Sequence, residues 1–306
     1  MLSLIIKRAL SSIPVLILVA TLTFLMVRIV PGGPFDAEKS LPPEIVANIK
    51  AKYHLDKPWP EQYLLYMARL ARGDLGVSYK YVNRTVNDVL GKALPVSAEL
   101  GFLGLAIAII IGVPLGTIAA IRRGTAGDVA AMLIATMGIS VPSFLVGALL
   151  IFVFGIYLKW LPVGLWEGPR NMLLPALTLS AGPAAYLARL TRASVLEILE
   201  KDWVRTARAK GLEIDKTIIK HVLRNALVPV VTVLGPLTAI IITGSFVVEF
   251  IYAIPGMGRF FITAVTNRDY DLIMGTTLIF AMLLIVANTV VDVLYTILDP
   301  KMRIES

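Results

Sequence analysis

The sequence predicts an all-α integral membrane protein with six transmembrane helices, on the basis of three observations. The 306 residues are 57% hydrophobic and only 16% charged, whereas soluble proteins average about 45–50% apolar and about 25% charged residues. The apolar residues are concentrated in six segments, each long enough or nearly long enough for a helix to cross a bilayer. Only Arg28 and Asp292 among all Asp, Glu, Lys and Arg residues lie within them. The segments span residues 9–30, 100–121, 131–158, 172–188, 226–248 and 274–298.

The segments are predicted to be helices because lipid offers no hydrogen-bond partners to the backbone and no strand-like alternation is visible. The chain contains no cysteine, which excludes disulfides and thiolate metal sites. Its two histidines, His54 and His221, both lie outside the segments. We therefore expect no metal or cofactor site built on these residue types and no histidine-dependent catalytic centre within the membrane.

The distribution of Lys and Arg predicts that both termini face the cytoplasm. The inside segments 1–8, 122–130, 189–225 and 299–306 carry 15 of these residues. The short outside loops carry 2 each, and short cytoplasmic loops are normally the richer ones. The first apolar segment lacks a small-residue cleavage site, so we expect it to be a retained helix and not a signal peptide.

The sequence predicts four parts. Residues 1–30 form the cytoplasmic end and first transmembrane helix. Residues 31–99 are too long for a connector, and their proline and glycine positions predict a helical extracytoplasmic segment. Residues 100–298 form a five-helix core, and 299–306 are a cytoplasmic tail.

Residues 189–225 carry 9 basic and 5 acidic residues, half of the net charge of +8. The spacing of Leu196, Leu199, Trp203 and Ala207 predicts an amphipathic helix from residue 196 to 209, ended by Gly211. A second apolar stripe leads into the next segment. This loop could lie on anionic lipid, enforce topology or dock a partner, and physics alone leaves these alternatives open. Because half of the charge excess lies in this one loop, the net charge does not favour a nucleic-acid partner.

Residues 205–211, Arg-Thr-Ala-Arg-Ala-Lys-Gly, resemble the Ala-x-x-x-Gly core of the cytoplasmic loop in permease subunits of binding-protein-dependent ABC importers. Residues 202–212 and 221–229 are similar to the peptide-importer branch. The general family pattern has a Glu and a Pro at the positions where this chain has Arg205 and Arg224. The peptide branch departs from the general pattern in the same way.

Further stretches extend the resemblance over nearly the whole chain, closest to the B-type membrane subunit of oligopeptide permeases. They are residues 28–34, 41–44, 52–55, 73–78, 249–258, 267–270, 292–295 and 299–301. The outside loop between the third and fourth segments is short, which favours an oligopeptide over a dipeptide importer. A dipeptide or metal-chelate importer remains an alternative.

The resemblance implies a permease subunit in a bacterial cytoplasmic (inner) membrane, surrounded by lipid. Its implied partners are a homologous second permease subunit, two cytoplasmic ATP-binding subunits and an extracytoplasmic peptide-binding protein, with a peptide as cargo. The chain has no phosphate-binding Gly-x-x-x-x-Gly-Lys-[Ser/Thr] loop, so ATP hydrolysis would belong to the partners.

The resemblance also implies site residues. Those predicted to couple to the ATPase are Leu199, Trp203, Arg205, Ala207, Arg208, Lys210, Gly211, Ile214 and Ile218. Those predicted at the extracytoplasmic gate or binding-protein contact are Glu249, Pro255, Gly256, Gly258, Asn267, Arg268, Asp269 and Tyr270. The segment 249–258 could equally be a plain turn back to the membrane. Small polar residues suggested for the pathway lining are Ser140, Ser143 and Ser180.

An ion-coupled secondary carrier is the alternative from another class. Asp292 would then be its first suspect, because burying an ionisable group in a membrane is costly. It stands alone, however, and no inverted repeat or paired mid-membrane charges are visible. A structural aspartate bonded to a neighbouring helix is the competing interpretation.

Overall fold

The computed structural model describes residues 2–35, 43–81, 83–209, 222–242 and 246–298. Within these residues the chain is helical, with a single isolated β-bridge between Val77 and Thr85. The predicted all-α fold is thus confirmed for the described part of the chain. The helices are α1 (Leu2–Ile29), α2 (Pro43–Lys52), α3 (Trp59–Leu70), α4 (Val86–Ile121), α5 (Ala126–Ser140), α6 (Ser143–Leu150), a π-helical segment (Ile151–Tyr157), α7 (Pro169–Leu199), α8 (Asp202–Ala209), α9 (Leu223–Ile242), α10 (Phe246–Ile251), α11 (Met257–Asn267) and α12 (Tyr270–Leu298).

The chain divides into two compact units. The N-terminal unit comprises Leu2–Val96 and Pro255–Ile285, and the central unit comprises Ser97–Ile254 and Val286–Ser306. Helices α4 and α12 each contribute residues to both units.

The N-terminal unit is organised around an aromatic and aliphatic core. Phe24 of α1 packs against Tyr63 and Tyr66 of α3, with ring centroids 5.2 and 6.0 Å apart. Leu272 and Met274 of α12 are buried in the same cluster. The helical segment predicted after the first transmembrane helix is therefore present as α2 and α3. Helix α3 packs on α1 and shares a buried cluster with the start of α12.

The central unit is organised around α7, which packs against α5, α6 and α9. Helix α4 approaches α7 closely through two glycines one turn apart. A Cβ on Gly112 would lie 2.5 Å from the carbonyl oxygen of Ala184, and one on Gly116 would overlap with that of Ala188. Two small residues at a spacing of four on each helix let backbones meet, as in many membrane helix pairs.

Three helical stretches among the described residues are long and apolar enough to cross a membrane: Ile6–Ile29, Val86–Ile121 and Tyr270–Val290. A fourth candidate is the pair Ala126–Ser140 and Ser143–Tyr157, which bends by 109°. The chain is therefore helical with several potential spans.

The predicted span over residues 131–158 is not one continuous helix in the structure. The chain breaks at Val141, which adopts an extended conformation with φ −81° and ψ 126°. Pro142 explains the break, because a proline disfavours a helical residue before it and itself lacks an N–H donor.

Two other predicted segments differ in extent. Residues 172–188 are part of the longer α7, which continues through the charged residues that follow. Residues 226–248 contain the end of α9 at Ile242 and the start of α10 at Phe246, and the three residues between these helices lie outside the described part.

Candidate functional site

The predicted coupling loop contains two helices in place of the single one expected from residue 196 to 209. Helix α7 ends at Leu199, and α8 begins at Asp202 after Glu200 and Lys201. Asp202 places a carboxylate in the first turn of α8, where the partial positive charge of a helix N-terminus stabilises it. The interruption changes the phase of the apolar stripe, so residues before and after it do not continue one face.

The buried residue of α8 is Val204, which the sequence prediction missed. Its side chain is 1% exposed and belongs to a cluster with Ala120 of α4, Val195 of α7 and Ala226 of α9. Leu199 packs at the margin of this cluster. Val204 thus anchors α8 to three helices of the central unit.

The other side of α8 faces outward. Trp203 is 42% exposed, a high value for a tryptophan side chain. Arg205 is exposed as well, and Ala207 is half-buried. Helix α8 therefore exposes an aromatic ring, that of Trp203, and a cation, Arg205, on opposite flanks of Val204.

The remaining predicted coupling residues are only partly covered by the structure. Arg208 lies in α8, and its side chain is outside the described part of the chain. The structure does not describe four further predicted residues at all, namely Lys210, Gly211, Ile214 and Ile218.

A partly buried ion pair joins the first turn of α5 to α7. Arg192 binds Asp128 through two parallel contacts, Nε to Oδ1 at 2.6 Å and Nη2 to Oδ2 at 2.7 Å. The carboxylate also accepts the N–H of Gly124 at 3.0 Å, and Thr125 caps α5 by accepting the N–H of Asp128. Such a planar two-bond arrangement fixes orientation as well as distance. The Thr-x-x-Asp spacing of Thr125 and Asp128 is a capping pattern that is visible in the sequence.

Residues 249–252, the first part of the predicted gate or binding-protein contact, lie in the central unit, and Glu249 and Tyr252 are buried there. Glu249 is 0% exposed and accepts a hydrogen bond from Ser97 Oγ at 2.8 Å. Tyr252, which was not predicted, bonds to Thr178 Oγ1 at 2.8 Å and donates to the Gly147 carbonyl at 3.2 Å. Pro255 is exposed, whereas Gly256 and Gly258 are buried at the start of α11.

The second part, residues 267–270, forms a tight connection between α11 and α12. Arg268 adopts a left-handed conformation with φ 55° and caps α11, and Asn267 before it is exposed. Asp269 is buried and accepts hydrogen bonds from Ser78 Oγ and from the N–H of Leu272. Burial raises the pKa of Asp269, and the hydrogen bond from Ser78 opposes that rise. Tyr270 donates to the carbonyl of Gly32 at 3.2 Å.

The residue that joins this connection to α3 is Asp271, which the sequence prediction did not include. Its Oδ2 accepts Arg69 Nη1 at 3.2 Å and the N–H of Val77 at 3.3 Å, and its Oδ1 accepts the Tyr79 hydroxyl at 3.3 Å. The adjacent Asn-Arg-Asp-Tyr motif was the only signal for this position.

The suggested pathway residues differ in their surroundings. Ser140 and Ser143 are exposed and flank the bend at Pro142. Ser180 is buried within α7 and donates to the carbonyl of Leu177 at 2.9 Å. The exposed pair and the buried residue therefore do not share one environment.

Comparison with solved structures shows the fold. An inward-facing structure of the methionine ABC transporter MetNI superimposes with a TM-score of 0.52 at 16% identity. The match covers 67% of this chain and 95% of the MetNI chain.

Comparison with curated proteins gives full-length relatives. The oligopeptide transport system permease protein OppB of Salmonella typhimurium is 47% identical, and that of Haemophilus influenzae is 44% identical. Each match covers 99% of this chain and 100% of the relative. The dipeptide transport system permease protein DppB of Bacillus subtilis is 46% identical, over 98% of this chain and 97% of the relative.

Family models match most of the chain. The model described as the binding-protein-dependent transport system inner membrane component matches residues 112–304, and the N-terminal model of such membrane components matches residues 1–94. The chain belongs to the family of inner membrane components of binding-protein-dependent transport systems.

Proposed function

We propose that this chain is the permease subunit of an ATP-driven importer of oligopeptides. The observation that carries the proposal is a sequence identity of 44–47% to oligopeptide permease proteins, over essentially the full length of both chains. The helical coupling segment and its outward-facing Trp203 agree with a subunit that receives energy from a partner. ATP hydrolysis then belongs to partner subunits. This chain supplies part of the translocation path for the substrate and the helix that couples it to the ATPase.

Uptake of labelled peptides by cells tests the proposal directly. The chain is expressed in place of the OppB subunit of Salmonella typhimurium, and uptake of a tripeptide and a dipeptide is measured. We expect tripeptide uptake that depends on ATP and persists when the proton gradient is collapsed. Uptake driven by the proton gradient in the absence of ATPase subunits would support the secondary carrier and overturn the proposal.

A dipeptide importer is the second candidate, because a dipeptide permease of Bacillus subtilis is as similar as the oligopeptide relatives. The short loop of residues 159–171 favours oligopeptides. In the same experiment, uptake of dipeptides alone would support the second candidate. Uptake of a labelled metal chelate would support the remaining alternative, a metal-chelate importer.

The proposed topology has six spans with both termini in the cytoplasm. Helix α1, helix α4, the bent pair and helix α12 account for four candidate spans. We assign the other two to the apolar first half of α7 and to α9 with α10. This arrangement places α8 and the 122–128 loop on the cytoplasmic side, and α2, α3 and α11 outside.

Cysteine labelling tests this topology, since the native chain has no cysteine that would react. Asp74 and Trp203 are both exposed and lie on opposite proposed sides. We expect D74C to react with a membrane-impermeant maleimide in intact spheroplasts, and W203C to react only after the membrane is opened. Equal labelling of the two variants in sealed spheroplasts would contradict the topology.

The proposed coupling element is α8 together with the residues that follow it. Val204 holds α8 on the central unit, and Trp203 and Arg205 are left to enter a groove of the ATPase subunit. The bidentate Arg192–Asp128 pair secures the end of α7 from which α8 departs. A push on α8 would therefore reach α7 through short, well-packed contacts.

The proposed partners follow the family. They are a homologous second permease subunit that completes the path, two ATP-binding subunits at the coupling element, and a peptide-binding protein outside. Exposed Asn267 and Pro255 are suited to contact the binding protein. Buried Asp269 and Glu249 act by holding their loops in place, and Ser140 and Ser143 are the pathway candidates beside the bend.

A further inference from the structure

The N-terminal unit contains a small polar cavity of about 110 Å³ beside α3. Its lining includes Arg28, His54, Tyr66, Arg69 and Asp271. Two guanidinium groups therefore border this cavity and only one carboxylate does.

The unused hydrogen-bonding capacity of the lining consists of donors. The Tyr66 hydroxyl and Arg69 Nε are buried and have no hydrogen-bond partner among the described residues. The carboxylate of Asp271 is already bonded on both oxygens, by Arg69 Nη1, by Tyr79 and by the N–H of Val77. Burial raises the pKa of Tyr66 to about 12, so the hydroxyl keeps its proton at neutral pH. An unmet buried donor is costly, and a guest that accepts hydrogen bonds removes that cost.

The surrounding charges favour a negative guest. Arg28 lies over the ring of Phe24 at 3.4 Å from its centroid and donates to Gln62 Oε1 at 2.8 Å, and both partners are uncharged. The other nearby carboxylate, Asp269, does not line the cavity and is bonded to Ser78 and backbone N–H groups. The positive charge of Arg28 thus has no carboxylate of its own at the cavity wall.

We propose that this cavity binds one small monovalent anion, chloride or a carboxylate of the size of formate. The Tyr66 hydroxyl and Arg69 Nε donate hydrogen bonds to the anion, and Arg28 contributes charge. The volume suits such an ion and is too small for a peptide. Because Arg28 belongs to α1 and Tyr66 and Arg69 to α3, the anion bridges these two helices and stabilises the N-terminal unit.

The test is thermal unfolding of the full chain in lipid nanodiscs, followed by its own tryptophan fluorescence. Potassium chloride or formate replaces potassium gluconate, which is too bulky for the cavity, at constant ionic strength. We expect the midpoint to rise with saturation, by roughly 5 °C at full occupancy. Y66F removes only the unpartnered hydroxyl, and we expect it to need about tenfold more chloride for the same rise.

A matched control lies one turn away on the same helix. The Tyr63 hydroxyl bonds to Thr21 Oγ1 at 2.7 Å, and Tyr63 does not line the cavity. Y63F should lower the midpoint slightly and leave the chloride dependence unchanged. R69K, which keeps the charge facing Asp271 but lacks Nε, should weaken the chloride dependence as Y66F does. A midpoint that is independent of chloride and formate would show that the cavity holds only water. A dependence equal in wild type and Y66F would show that the anion acts at another site, and either result would overturn the proposal.

Discussion

Replacing Trp203 by alanine is expected to detach the ATPase subunits while leaving the chain folded. Trp203 is 42% exposed on α8, where Arg205 is exposed as well, and aromatic side chains of this kind often dominate a docking surface. We expect a loss of about 2 kcal/mol or more in binding free energy, hence at least about thirtyfold weaker binding. The measurement is the amount of ATPase that co-purifies with the chain, together with peptide-dependent ATP hydrolysis.

The neighbouring Val204 provides the matched control, since it is buried at 1% exposure on the same helix. V204A should lower the free energy of unfolding by about 1–3 kcal/mol, because it leaves a cavity among Ala120, Val195 and Ala226. Its effect on ATPase binding should follow this loss of stability and be smaller than that of W203A. Unchanged ATPase binding and unchanged coupling in W203A would exclude α8 as the docking element.

Replacing Asp271 by alanine is expected to destabilise the N-terminal unit strongly. The change leaves the Arg69 guanidinium, the Tyr79 hydroxyl and the Val77 N–H without their common acceptor. Breaking a buried pair by removing one partner typically costs about 3–5 kcal/mol, and partial exposure of Arg69 places this case near the lower value. Thermal unfolding of the purified chain measures the change.

The exposed pair between Lys57 and Glu61 on α2–α3 is the control for a lost carboxylate. E61A should change the free energy of unfolding by less than about 1 kcal/mol, because both side chains are in contact with solvent. If D271A were no more destabilising than E61A, Asp271 would not be the residue that joins α3 to α12.

The sequence predicted the helical class well, because charge and hydropathy report directly on the environment of each segment. It failed where local geometry decides. Pro142 divides the predicted segment 131–158, and hydropathy and charge do not show the break because every residue in the segment is uncharged.

The candidate site was predicted less completely, for a related reason. The stripe through Leu199 and Trp203 assumes one uninterrupted helix, and the break at Glu200 shifts the phase so that Val204 becomes the buried residue. Asp271 and Arg69 are 202 positions apart in the chain, and no local pattern links them. The motif containing Asp269 and Tyr270 is visible in the sequence, but burial of both side chains is a tertiary property.

The contact of Gly112 and Gly116 with Ala184 and Ala188 has a mechanical consequence. Long side chains in a helix interface can change rotamer and absorb a displacement, whereas backbone against backbone has almost no such compliance. This backbone contact ends about one turn before Arg192 and about three turns before the end of α7 at Leu199. A displacement of α8 would deform this contact very little, so most of it would be transmitted to the rest of α7.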